Sequence, residues 1–185
     1  RESQVIHPPV DLNRFTPGGV KKDFYLMIGA FAPNKRVDLA IRVFNRLKLS
    51  LKIVGRGQDE AYCKSIAGET ISFLGECNDD QILRLYQEAR AFVFPGEDDF
   101  GITPLEAQAC ATPVIAYAAG GALETVNEQT GIFFHQQTED ALSQAVEEME
   151  TRHSSFKLEE FQKNTPRFSR MRYQQEISKA INVSY

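Results

Sequence analysis

Six short apolar runs, each followed by a stretch with helical spacing, constrain the fold of this chain more than any other feature. The runs are FYLMIGA (24–30), LSLKIVG (49–55), TISFLG (70–75), AFVFP (91–95), PVIAY (113–117) and TGIFF (130–134). Short apolar runs alternating with amphipathic stretches are the pattern of a parallel α/β sheet, and FYLMIGA reads as a buried strand. Between them, Val37, Ala40, Ile41, Phe44 and Leu47 fall on one helical face. A helix is also expected after the second run, reaching about Ala67. Asn78 with Gln81 three residues on reads as a helix start with a capping box, and it turns Ile82, Leu85, Tyr86 and Ala89 inward. Gly120-Gly121 opens a short helix, and EDALSQAVEEME (139–150) and FSRMRYQQEISKAI (168–181), capped by Ser169, add two more. The expected fold is α/β: a doubly wound, Rossmann-like parallel sheet of about six strands flanked by helices, with a C-terminal helical tail. The expected division is a linker over 1–15, the Rossmann-like domain over 16–150 and the tail over 151–185.

The bulk properties narrow the function. A length of 185 residues suits one domain with a sizeable core. A net charge of −4 gives no basic footprint for nucleic acid. Cys63, Cys77 and Cys110 are widely spaced with no C-x-x-C pair, which argues against a disulfide framework or a zinc site. No run approaches the ~20 apolar residues of a membrane span. With no signal-peptide pattern either, a cytoplasmic location is expected, with room for peripheral association at a membrane. The first stretch, RESQVIHPPVDLNRF, reads as an extended, proline-punctuated linker from something upstream.

In a doubly wound sheet, ligands bind at the carboxyl ends of the strands, near the point where strand order reverses. The loops 30–36, 55–58, 75–78 and 95–103 are therefore the places to search. Lys35 and Arg36 could clamp a diphosphate or merely solvate a helix start, although cations there oppose the helix dipole. The G-R-G turn at Gly55 allows close backbone approach of a ligand, and a tight turn explains it equally well. Glu97, Asp98 and Asp99 crowd a predicted helix start at Thr103-Pro104-Leu105-Glu106, read as N-cap, proline at N1 and glutamate at N3. The amides of Gly101, Ile102 and Thr103 could cradle a phosphate there. Glu106 has two readings at this stage: a capping-box bond back to Thr103, or acceptance from a vicinal diol. His7, His135 and His153 are scattered with no nearby constellation, and Cys110 reads as a small packed residue.

The stretch FPGEDDFGITPLEAQACATPVIAYAAGGALETV (94–126) resembles the donor-binding signature of retaining, nucleotide-sugar-dependent glycosyltransferases of the two-domain GT-B type, specifically glycosyltransferase family 4. The likeness extends over nearly the whole chain, through VIHPPVDLNRF, FYLMIGAFAPNKRVDLAIRVF, LKIVGRGQ and ISFLGECNDDQILRLYQEARAFVFP. It implies one half of a GT-B fold: the C-terminal, donor-binding domain, with the N-terminal acceptor domain absent from the sequence. By this resemblance Lys35 and Asp98 belong to the catalytic group, and Arg36 is added to them from its place beside the lysine. Gly55, Cys77, Asp98, Phe100, Gly101, Ile102, Thr103 and Glu106 bind the donor, with Lys35 on the diphosphate, Glu106 on the ribose and the GECN loop near the base. Two departures stand out. Asp98 occupies the register of a glutamate that usually precedes the second by eight positions, and Ala30 replaces an arginine after the first-strand glycine, which leaves Arg36 as the candidate second cation. No Asp-x-Asp motif occurs, so neither metal nor cofactor is expected. The implied activity is transfer of a hexose, mannose as best guess, from a GDP- or UDP-sugar to a glycan or lipid-linked acceptor with retention of configuration. The alternatives are a sugar-nucleotide epimerase, a phosphorylase of the same architecture, or a non-catalytic nucleotide-binding module.

Overall fold

The computed structural model describes residues 4–182. All six expected strands form: β1 (Tyr25–Ile28), β2 (Leu51–Val54), β3 (Ile71–Gly75), β4 (Ala91–Phe94), β5 (Val114–Tyr117) and β6 (Gly131–Phe134). They pair in parallel in the order β3-β2-β1-β4-β5-β6. The chain runs outward from β1 to β3, then crosses back to β4 beside β1, so strand order reverses between β1 and β4. Among the described residues eight α-helices accompany the sheet: α1 (Val37–Leu47), α2 (Glu60–Ile66), α3 (Asp79–Glu88), α4 (Ile102–Ala109), α5 (Ala122–Thr125), α6 (Glu139–Arg152), α7 (Leu158–Asn164) and α8 (Arg170–Asn182).

The sheet carries a core on each face, which is why the central strands β1, β4 and β5 read as apolar runs, whereas β2 carries Lys52 and the edge strand β3 alternates buried with exposed residues. Tyr25 and Met27 of β1 join Phe44, Ile53, Val93, Ile115 and Leu142 in one cluster. Leu26, between them in sequence, joins Tyr86, Phe92, Phe94, Leu105 and Phe168 in the other. The successive side chains of a strand point to opposite faces, so both sets of positions must be apolar when both faces are covered.

The helix starts follow the sequence in two cases and depart from it in a third. Asn78 Oδ1 accepts from the Gln81 amide at 3.0 Å, and Gln81 Oε1 accepts from the Asn78 amide at 2.9 Å, which completes the expected capping box. Ser169 Oγ accepts from the Arg172 amide at 3.3 Å. Helix α4, however, begins at Ile102 rather than Thr103. Its N-cap is Gly101 at φ 76°, in the left-handed region that glycine enters at little cost, and no side chain caps it. Thr103 and Pro104 therefore lie inside the first turn and Glu106 on the second, out of capping-box register.

The leading segment and the tail meet on the second cluster. Val10 donates its amide to Phe168 O at 2.8 Å and bridges to Ser169, and Val10, Phe15 and Phe168 are all buried with α4.

Candidate functional site

The reversal between β1 and β4 opens a cleft at their carboxyl ends, and the loops that leave those strands wall a cavity of about 350 Å³. Ile28, Gly29, Ala30 and Lys35 line it from the β1 side; Phe94, Pro95, Gly96 and Asp98 line it from the β4 side; Gly101, Ile102 and Thr103 close it at the start of α4.

Glycines set this geometry because main chains touch there. A Cβ on Gly96 would stand 2.3 Å from Asn34 O and 2.7 Å from Lys35 Cα, and the Glu97 amide donates to Asn34 O at 3.2 Å. On the other side the Gly121 amide donates to Asp98 O at 2.9 Å, and a Cβ there would lie 2.2 Å from Phe100 Cα. The loop 97–100 is thus clamped between the turn at Pro33–Lys35 and the start of α5, which fixes where Asp98 can point. Its carboxylate pairs with the Lys35 ammonium, with only 19 % of the Asp98 side chain and 24 % of the Lys35 side chain exposed. Water screens such a pair less than a surface one.

Helix α4 adds a third element. Its first amides have no intrahelical acceptor, and the helix dipole places partial positive charge at that end. Because Ile102 and Thr103 line the cavity, this end meets Lys35 and Asp98.

The remaining predicted residues are placed differently. Glu106 lies one turn along α4, outside the cavity lining, and its Oε2 accepts from the Tyr86 hydroxyl at 2.8 Å. The capping-box alternative is removed, since the register required by it is lost. Burial raises the Glu106 carboxyl above its ordinary range, while the Tyr86 hydrogen bond and nearby Arg14 pull it back.

Arg36 does not join Lys35. It sits at φ 51° between the Pro33–Lys35 turn and α1, and that left-handed kink sends its side chain the other way. Its Nη1 donates to Gln137 Oε1 at 3.2 Å, its Nε stands 3.5 Å from Asp38, and it borders a separate cavity with Asp59, Tyr62 and Cys63. Among the described residues, Lys35 is the one cation lining the β1–β4 cavity.

Phe100 turns away from the cavity, with its ring stacked on His7 at 5.3 Å and against Phe168 at 5.7 Å. Gly55, at φ 129°, lets β2 approach the β1 loop, where a Cβ would stand 2.0 Å from Gly29 O. Cys77 packs partly buried on the second core cluster. No group of three or more His, Cys, Asp or Glu is placed to hold a metal among the described residues.

Sequence reasoning missed His7 and Tyr86. His7 joins Phe100 and also pairs with Glu124 at 3.1 Å, while α8 reaches its carbonyl through Arg172 at 2.9 Å. All these partners are remote in sequence, so local spacing carried no signal. Helical periodicity marked Tyr86 as inward, but it could not show where the hydroxyl leads.

A family model described as "Glycosyl transferases group 1" matches residues 12–168. The chain is 33% identical over 153 residues to a D-inositol 3-phosphate glycosyltransferase of Mycobacteroides abscessus, covering 69% of this chain and 34% of that protein. It is 30% identical over 142 residues to an uncharacterised glycosyltransferase of Methanocaldococcus jannaschii, covering 70% and 36%. The chain therefore spans about a third of the length of these relatives. Among solved structures, sucrose-phosphate synthase from Thermosynechococcus elongatus superposes with a TM-score of 0.83 at 22% identity, over 97% of this chain and 52% of that one. Anabaena HepE in complex with UDP and glucose superposes with a TM-score of 0.83 at 20% identity, over 97% and 56%. These likenesses agree with the strand order and with the cleft at the reversal: the fold is one Rossmann-like half of a GT-B architecture, and the chain belongs to the glycosyl transferases group 1 family.

Proposed function

We propose that the chain is the donor-binding part of a glycosyltransferase that transfers a hexose from a nucleoside diphosphate sugar to a hydroxyl of a glycan or lipid-linked acceptor, with retention of configuration. The observation that carries this reading is the meeting of Lys35, Asp98 and the N-terminus of α4 around one cavity at the strand-order reversal. A sugar nucleotide is anionic in the middle and rich in hydroxyls at both ends. Its diphosphate suits Lys35 and the helix amides, which stabilise the charge left when the sugar–phosphate bond breaks. Asp98, released from Lys35 by the incoming phosphate, accepts from a sugar hydroxyl. Glu106 accepts from the ribose.

Both GDP-mannose and UDP-hexoses fit this chemistry, and the UDP in the HepE complexes favours testing uridine first. The charge supplied by Lys35 and the helix makes the reaction metal-independent in this reading. A cytoplasmic location goes with a nucleotide-sugar substrate, and no helix among the described residues is long and apolar enough to cross a membrane.

Calorimetric titration with UDP- and GDP-sugars, with and without a chelator, tests the proposal. Binding of one sugar nucleotide that survives chelation is expected. Failure of all of them to bind, or binding that depends on a divalent ion, would overturn it. Supplying donor with and without an acceptor hydroxyl separates transfer from epimerisation.

A further inference from the structure

Tyr86 is fully buried on α3, its ring edge-on to Phe15 at 5.7 Å and tilted against Phe92 at 5.6 Å. Its carbonyl accepts from Thr112 Oγ1 at 2.5 Å and from Lys21 Nζ at 3.4 Å, so the backbone is held as well. A ring packed this way could be phenylalanine. The hydroxyl is the one part that packing does not explain, and burying it without a partner would be unfavourable. Its partner is Glu106 Oε2, on a half-buried side chain. Tyr86 is held by its ring packing and its backbone, so its hydroxyl is a fixed donor against which the Glu106 carboxylate is oriented. The second carboxylate oxygen, Oε1, has no hydrogen-bond partner among the described residues.

We propose that Tyr86 is a positioning residue that holds one oxygen of Glu106 so that the other accepts from a ligand's vicinal diol. This rests on the assignment of Glu106 to the ribose made above. Four groups face that carboxylate: Tyr86 and Asp79 of α3, Arg14 of the leading segment, and Cys110 just past α4. Arg14 is itself bound to Asp79 at 2.8 Å, which leaves Tyr86 as the hydrogen-bond donor to Glu106. Removing the hydroxyl therefore frees the carboxylate to rotate and takes away a bond that favours its ionised form.

The test is calorimetric titration with UDP and GDP, each beside its deoxyribose counterpart, across pH 4 to 8. The unsubstituted chain is expected to prefer the ribonucleotide by at least about tenfold, the scale of one charge-assisted hydrogen bond, and to lose that preference on acidification. Glu106→Gln should abolish both the preference and its pH dependence. Tyr86→Phe should shrink the preference to about threefold or less and move its acid limb to higher pH, with thermal stability checked in parallel. The double variant should match Glu106→Gln alone. If Glu106→Gln leaves the preference intact, the ribose assignment fails. If Glu106→Gln abolishes it but Tyr86→Phe keeps both the preference and the acid limb, the positioning role fails on its own.

Discussion

Strands β1 and β4 carry an acid–base cluster at each end, and the two clusters are built to opposite purposes. At the amino ends, Glu150 of α6 takes the Tyr25 hydroxyl and lies 2.6 Å from Arg90 Nε, close enough for an ion pair although not aligned as a hydrogen bond. Arg90 also approaches Asp23 at 3.5 Å, and its carbonyl takes His153 Nε2 at 3.0 Å. Each charged side chain there has an oppositely charged protein neighbour, although Arg90 Nε makes no hydrogen bond, and the cluster ties α6 to the sheet. At the carboxyl ends, Lys35 and Asp98 have one another beside an open cavity. An ammonium has three protons to donate and a carboxylate can accept about four bonds, so this pair keeps capacity for a ligand. The backbones differ in the same sense. Asp23, Phe24 and Arg90 stand at the amino ends of β1 and β4, whereas Gly29 and Gly96 follow their carboxyl ends, and Gly96 lets the main chain touch Asn34 and Lys35. The same chemistry stabilises where it is saturated and binds where it is not.

The largest test of that contrast is Lys35→Ala. It should lower sugar-nucleotide affinity about 100-fold, or ~3 kcal/mol for lost charge-assisted bonds, while the midpoint of thermal unfolding moves by only about 2 °C. Titration and melting of one preparation would show it. Glu150→Ala should do the reverse at the other end. It leaves Arg90 without its nearest acid and the buried Tyr25 hydroxyl without an acceptor, which costs about 2 kcal/mol of unfolding free energy. That figure lies below the range for fully buried pairs because Arg90 and Glu150 are 27% and 34% exposed. Denaturant unfolding measures it, and sugar-nucleotide affinity should stay within about twofold. Were Lys35→Ala to unfold the chain, or Glu150→Ala to abolish binding, the two ends would not be divided in this way.

What the sequence disclosed depended on how locally each feature is encoded. The central strands were legible because apolar runs follow directly from burial on both faces, and the Asn78 capping box was legible because its partners are three residues apart. Lys35 and Asp98 were singled out through loop position and motif likeness, and the structure brings them into contact across 63 residues. The start of α4 was misplaced because Thr-Pro-x-Glu is a strong local signal. A glycine at φ 76° overrode it, and nothing in the sequence alone declares that torsion. Arg36 was paired with Lys35 on adjacency, whereas a left-handed residue between the two elements sends neighbouring side chains apart. The partners of His7 and Tyr86 come from other elements altogether, so only the folded chain reveals them.

The smallest effect is also the one that separates the two ends by sign. Burial, with Arg90 beside it, lowers the His153 pKa, so the folded state gives up that proton more readily than the unfolded chain. The stability it contributes is present above the ordinary histidine range and is lost as pH falls through that range toward the lowered value. Glu106 runs the other way: burial raises its pKa, so the folded state holds the proton more tightly, and stability is lost as pH rises through the ordinary glutamate range. Acid should therefore weaken the amino end as pH falls through the ordinary histidine range and relieve the carboxyl end as it falls on toward the ordinary glutamate range. His153→Gln should flatten the first slope, and Glu106→Gln should raise stability near neutral pH, each by a few tenths of a kcal/mol once solvent screening is allowed for. The Glu106→Gln gain should fade on acidification, because the carboxyl it replaces is then already neutral. Denaturant unfolding of both variants across that range measures the two slopes. A Glu106→Gln variant less stable than its parent at neutral pH would make that carboxylate part of the scaffold. The carboxyl end would then be organised for stability much as the amino end is, with only Lys35 and Asp98 left over for a ligand.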